Sequence, residues 1–286
     1  MMRICFVYER MEHTHSPLPS FENPPVVEVA LSVQFDPIEA LQVPQMGLLW
    51  SRFRDDLPKT QTQPPLQLDF ERFGTIPDPI PRVRIQAFDI PPVPRLWFLN
   101  ETETELVQVQ QTRFIANWRR VKDESYPRFD TIFQKFKERI GIFLTFLSDE
   151  HLPSPVYNQC EVTYVNHIPA DAAPSTHGTV ERLLTTWKEQ YSDEFLHDPE
   201  DIMIRLRYLI PGGDQNPVGR LHVDLQPALK EDQTPIFVLN ITARCNPIPR
   251  GLEGVYKSFE LCHEWIVKGF ASITTRSMHQ IWRRNI

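Results

Sequence analysis

Twice along this chain a series of strand-like alternations runs into one long amphipathic helix, and that recurrence limits the possible folds more than any other feature. The first series opens at "NPPVVEVALSVQF", where Val27, Val29, Leu31, Val33 and Phe35 alternate with Glu28, Ser32 and Gln34. Strict alternation is the mark of a half-buried strand, with one apolar and one polar face. The Asn-Pro-Pro ahead of it sets an extended lead, because a residue before proline is pushed out of the helical region. Asp36-Pro37 ends the strand, and Met46, Leu49, Trp50 and Phe53 then take helical spacing after Pro44. A proline-rich loop is expected from Leu57 to Pro81. Strands follow at 82–88, 95–100 and 105–118, separated by the turn signals "DIPPVP" and "NETE". Phe129, Phe133, Phe136, Ile140, Phe143 and Leu147 then mark a long helix, so the first half reads β-α-β-β-β-α.

The second half reads in the same order: a strand at 157–168, a helix at 179–191, strands at 201–210, 219–226 and 235–245, and a last helix from Leu252. That helix carries Val255, Tyr256, Phe259, Cys262, Ile266 and Phe270 at helical spacing. Glu28 in "VEVAL" matches Glu161 in "CEVTY", and Asn117 in "IANW" matches Asn240 in "VLNI". The separation from Asn117 to Phe129 equals that from Asn240 to Leu252, and a Pro-Arg pair precedes each helix. The expectation is an internal duplication: a flexible extension over 1–22, one β-α-β3-α repeat over 23–150 and another over 151–286. Met1, Met2 and Met11 are all candidate starts. The element order resembles the TATA-box-binding-protein-like and helix-grip folds, in which each repeat curls an antiparallel sheet around a long helix. The implied fold class is α+β, and the likeness is one of order, which carries no function.

Composition narrows the chemistry. A chain of 286 residues with 41% hydrophobic and 23% charged residues is ordinary for a globular protein. Its longest apolar run, "IGIFLTFL", is far shorter than the roughly 18 residues that cross a bilayer. Only 10 glycines occur against 27 prolines, and neither phosphate-cradling glycine motif is present. A net charge of −7 disfavours nucleic acid, whose binding depends on neutralising phosphates. Cys5, Cys160, Cys245 and Cys262 are dispersed, without a metal-ligand spacing, and read as reduced core thiols of a cytoplasmic protein. No cofactor is expected.

If the helices cover the apolar side of the sheet, the other side collects a candidate binding face of Glu28, Asn117, Glu161, Arg205, Arg207, His222 and Asn240. Ser32, Gln34, Arg82, Arg84, Thr163, Arg220, Asp224 and Thr242 would join it. Such a face is either the solvated side of an amphipathic sheet, with cross-strand Glu–Arg pairs, or a surface that binds a partner. Glu28 and Glu161 as an acid/base pair would need a raised pKa and a cleft. His222 and Asp224 share a face but have no nucleophile motif beside them, and His263-Glu264 lacks the second histidine of a zinc protease. The C-terminal stretch sets Arg276, Arg283 and Arg284 beside Trp282. These form a candidate contact surface for a partner, or a helix end whose cations favour the dipole while the aromatics turn inward.

The segments "NPPVVEVALSVQF", "RFIANW", "YPRF" and "ELCHEWIVKGFASITTRSMHQIW" resemble an uncharacterised, sporadically distributed family of prokaryotic proteins with an N-terminal NPPVxE motif. The likeness runs from Asn23 to Trp282 and is most specific at that motif and at the late H-E-x-I-x-x-x-F. It brings no catalytic residues. Sporadic distribution implies an accessory or defence-type system. Together these readings point to a non-enzymatic binding protein with a protein partner. A small-molecule sensor with its ligand between sheet and helix, and a nucleic-acid-binding saddle, stand as alternatives.

Overall fold

The computed structural model describes residues 17–74, 92–169, 177, 180–187, 195, 199–212 and 216–285. In chain order the elements are β1 (Ser20–Phe21), β2 (Val26–Phe35), α1 (Val43–Phe53), β3 (Lys59–Gln63), β4 (Arg95–Leu99), β5 (Glu105–Gln110), β6 (Arg113–Arg119) and α2 (Phe129–Asp149). They continue with β7 (Tyr157–Pro169), β8 (Ile204–Pro211), β9 (Pro217–Leu229), β10 (Pro235–Cys245), α3 (Leu252–Ile273), α4 (Arg276–Ile281) and β11 (Arg284–Asn285). The fold is α+β. Among the described residues nine strands form one antiparallel sheet in the order β3-β4-β5-β6-β2-β7-β10-β9-β8, and β1 pairs with β11 apart from it.

The opening alternation does what its period requires. Val29, Leu31, Val33 and Phe35 are fully buried, facing the helices. Val27 departs from the expected set: the pairing of β2 with β7 shifts between Val26 and Glu28, so Val27 is the extra residue of a bulge and Val26 is buried instead. The long helices α2 and α3 lie on the same side of the sheet and meet through phenylalanines. Phe136 and Phe259 form an edge-to-face pair at 4.8 Å, and Phe133 also meets Phe259.

Four expectations change. The alternation at 105–118 is two strands, because Gln111 and Thr112 turn the chain back; their carbonyls accept from the backbone N–H groups of Ile38 and Phe35, a tertiary tie that substitutes for turn residues. The proline-rich loop contains β3, which pairs with β4 along the sheet edge. The helix expected at 179–191 is not formed at 180–187. There the chain makes turns in which Val180, Leu183 and Leu184 are buried, and Thr185 N–H bonds the Ile273 carbonyl at the end of α3. The lead-in is anchored rather than loose over its last residues: Phe21 is buried against Phe270, His279 and Trp282. Residues 1–16 and the expected strand at 82–88, with Arg82 and Arg84, lie outside the described residues.

Among the described residues no helix is long and apolar enough to cross a membrane. Cys160, Cys245 and Cys262 are buried free thiols; burial raises the pKa of Cys160 and Cys262.

Candidate functional site

Strand registry gathers the polar residues on the side of the sheet away from α2 and α3. Glu28 sits opposite Arg119 on β6, and Glu161 opposite Arg244 on β10. Thr163 pairs with Thr242, which pairs with His222, which pairs with Arg207; Asn240 pairs with Asp224, and that with Arg205. Every candidate of the binding face, Glu28, Asn117, Glu161, Arg205, Arg207, His222 and Asn240, thus shares one face. Arg220 joins Arg205 and Arg207 as expected, and Arg95, Arg113, Arg119 and Arg244 add to them beyond the expected set.

What lies on this face is a length of the chain itself. Residues 66–73, "LQLDFERF", run across the strands rather than along them. The contacts fall in turn on β5, β6, β2, β7, β10 and β9, which are consecutive neighbours in the sheet. Three buried glutamines read the backbone. Gln110 both donates to the Leu66 carbonyl (3.0 Å) and accepts from Leu66 N–H (2.9 Å). Gln159 donates to the Asp69 carbonyl (2.7 Å) and accepts from Glu71 N–H (2.9 Å). Gln34 accepts from Asp69 N–H at 3.4 Å, and Arg113 donates to the Gln67 carbonyl. Each glutamine amide offers a donor and an acceptor in one plane, as a neighbouring strand would.

Arginines and a histidine read the side chains. Arg244 donates to Asp69 (2.6 Å) and is itself held by Glu161. Glu71 meets Arg220 through one carboxylate oxygen and His222 Nε2 (2.5 Å) through the other. The Glu71 and Arg220 side chains are only 5% and 8% exposed, so this is a buried pair. Burial pushes the Glu71 carboxyl up, but the His222 hydrogen bond and the charges of His222, Arg220 and Arg244 outweigh it and hold the pKa below the ordinary value. Burial likewise disfavours the Arg244 cation, yet Glu161, Asp69 and Glu71 raise its pKa. Phe73 lies under the Arg220 guanidinium at 5.4 Å. Leu68 and Phe70 point the other way and are 44% and 46% exposed.

Beyond this strap the face is wired differently. Arg95 donates to Gln108, Gln108 to Asn117, and Asn117 to Glu28. Burial raises the Glu28 pKa against the Asn117 hydrogen bond and the Arg119 charge. Glu28 and Glu161 are not a dyad: Glu28 is paired with Val165 across the central strands and Glu161 with Ser32, four residues along. Nor are the two asparagines equivalent in register. Asn117 lies opposite Ala30, which faces Thr163, whereas Asn240 lies opposite Val165, so matching the asparagines conflicts with matching the glutamates by two residues. Among the described residues the buried Asn240 Oδ1 has no hydrogen-bond partner.

The C-terminal candidates separate. Trp282, expected at a contact surface, is a core residue packed on Phe21 and Phe270, because β1 and β11 fold the chain end back onto α3. Arg283 pairs with Glu22, Arg284 donates to His279, and Arg276 is exposed.

The helix side carries a concavity of about 1400 Å³ between the lead-in, β7, β10 and the helices. Tyr126, Tyr164 and His263 form a hydrogen-bonded chain there (2.9 and 3.0 Å), and the His263 ring stacks on Phe129 at 3.8 Å. Burial lowers the His263 pKa to about 4, so its ring is neutral near pH 7.

Sequence reading missed Gln110, Gln159, Arg113, Arg244 and the whole strap. Its one local signal was Asp69 and Glu71 two apart in a proline-rich stretch. Among the described residues no cluster of His, Cys, Asp or Glu could hold a metal ion. No protein-family model, curated protein or solved structure matches the chain.

Proposed function

We infer that this is a non-enzymatic cytoplasmic binding protein whose polar sheet face engages a segment of a partner protein, as part of an accessory or defence-type system. One observation carries the reading: the face holds an extended polypeptide by both its backbone and its side chains. A merely solvated face has no use for three buried glutamines aimed at peptide groups. The fold reading that goes with it is an internal duplication of the TATA-box-binding-protein-like kind. Support comes from the strand order β4-β5-β6-β2 and β7-β10-β9-β8, reversed about the central pair, and from Glu28–Arg119 and Glu161–Arg244 as corresponding pairs. The family resemblance noted for the sequence belongs to the same reading.

Gentle purification from the native source followed by native mass spectrometry tests it. A stoichiometric protein companion is expected, and Arg205→Glu with Arg207→Glu removes it while circular dichroism stays unchanged. A companion indifferent to that double change, or a turnover abolished by Glu28→Gln or Glu161→Gln, overturns the reading. A second reading, a small-molecule sensor, is favoured by the cavity at Tyr126, Tyr164 and His263. Its lining sets these three groups among apolar side chains such as Phe21, Ile241 and Phe270 and charged ones such as Arg128, Asp130 and Glu264. A bound small molecule in the same spectra, lost on Tyr164→Phe with His263→Ala, would bring it forward.

A further inference from the structure

Four properties of the strap say what the polar face is built to take. The strap's alternation is inverted relative to a core strand: Asp69, Glu71 and Phe73 face the sheet while Leu68 and Phe70 face out. Hydrophobic burial therefore does not hold it; polar reading does. The backbone contacts demand an extended chain but no particular sequence. The side-chain contacts demand carboxylates two residues apart, with an aromatic ring two further on.

We propose that the face binds an extended acidic segment of a partner protein, with the Asp-x-Glu-x-Phe spacing, and that residues 66–73 are a resident occupant which that segment displaces. The proposal rests on the protein-binding reading above and adds the chemistry of the partner. Charge complementarity supports it, because Arg220, Arg244 and His222 line the track on which the carboxylates lie. Nucleic acid would satisfy the arginines but not the glutamines. Gln110 and Gln159 each accept from a peptide N–H of the strap, and a phosphodiester backbone has no such donor, so these two buried acceptors would lose their partners, while Gln34 would keep Arg113.

A tethered occupant competes at an effective concentration of about the millimolar range. The wild-type face must therefore bind the same segment in trans only weakly, and opening the track must strengthen binding. The probe is a fluorescein-labelled synthetic peptide, PPLQLDFERFG, read by fluorescence anisotropy against the full chain. Two opened variants are used: Asp69→Asn with Glu71→Gln, and a chain whose residues 66–73 are replaced by a Gly-Ser segment of equal length. Both are checked for an unchanged circular dichroism spectrum, and the second serves if the first is poorly folded.

The expected result is saturable one-to-one binding, at least ten-fold tighter than to wild type. It weakens at least ten-fold when Arg220→Met is added or when the peptide carries Asn and Gln for its carboxylates, and it falls with added salt. Equal binding of the neutral peptide, or no binding by either opened variant, overturns the proposal. Stronger competition by single-stranded DNA than by unlabelled peptide does the same and transfers the face to nucleic acid. Concentration-dependent dimers of the wild type, formed by exchange of 66–73 between copies, assign the track to a second copy and also overturn it. If the native companion still depends on Arg205 and Arg207 while the acidic peptide fails, the binding face stands and only its partner chemistry is wrong.

Discussion

The two sides of β2 put different physics on one strand. Toward the helices, Val29, Leu31, Val33 and Phe35 are sealed among the phenylalanines of α2; Phe35 and Phe114 stack on Phe143. Toward the strap, Gln34 is equally buried, yet it is held by hydrogen bonds to Asn158, Arg113 and the Asp69 N–H. Apolar burial is non-directional and scales with area, so the helix side tolerates no loss of volume and little depends on angle. The strap side depends on hydrogen-bond geometry and on paired charges, whose partners can be exchanged for others of the same chemistry. One side is suited to holding the fold permanently and the other to holding a chain conditionally.

Substitutions separate the two sides, and the largest effect belongs to the helix side. Phe259→Ala removes the ring that Phe133 and Phe136 both meet and is expected to cost about 3–5 kcal/mol of global stability, read by chemical denaturation. Glu71→Gln strips Arg220 of its buried counter-charge and weakens strap docking by about 3 kcal/mol. Its reading is faster amide exchange at 66–72, with β2 and β7 still protected; loss of protection throughout the sheet would erase the distinction between the two sides.

Acid sharpens the same contrast. The Glu71 pKa is depressed in the docked strap, so the released strap binds more protons. Its contribution is present above the ordinary carboxylate value of 4.5 and is lost as pH falls below that through the docked value. Amide exchange at 66–72, corrected for intrinsic rate, should accelerate there before the helices respond. Glu28 runs oppositely: its raised pKa means that acid favours its folded environment. Gln159→Ala removes two backbone contacts and should loosen the strap by about 1–2 kcal/mol. Smallest is Arg205→Ala, whose pairing with Asp224 is largely exposed and whose loss should change stability by about 0.5 kcal/mol.

The strands and long helices were legible because periodicity is local: the alternation at Val29–Phe35 and the phenylalanine spacing of α2 need no knowledge of the rest of the chain. The face was legible for the same reason, since residue parity within a strand fixes its side. The strap was not. Asp69 offers only its spacing from Glu71, and its partner Arg244 lies 175 positions away. Gln111-Thr112 hid a hairpin because the turn is tied from outside by Phe35 and Ile38 rather than by glycine or asparagine. The helix expected at 179–191 gives way at 180–187 because the backbone there bonds the end of α3, with Thr185 N–H on the Ile273 carbonyl and Thr275 N–H on that of Leu183. The matched asparagines misled for a related reason: spacing along the chain fixed their distance from each helix, not their row in the sheet.

One feature of the strap is mechanical. It crosses the junction of β2 and β7, the seam where the two flanks of the nine-stranded sheet meet, and it is fastened on both sides, at Gln110 on one and at Arg220 on the other. A stitch that crosses the strands and is fastened at both ends ties the two flanks together, so a rotation that moves its fastenings apart is resisted. Fastening and the geometry of the seam are therefore linked: a chain with residues 66–73 released is expected to hold its two flanks together less firmly.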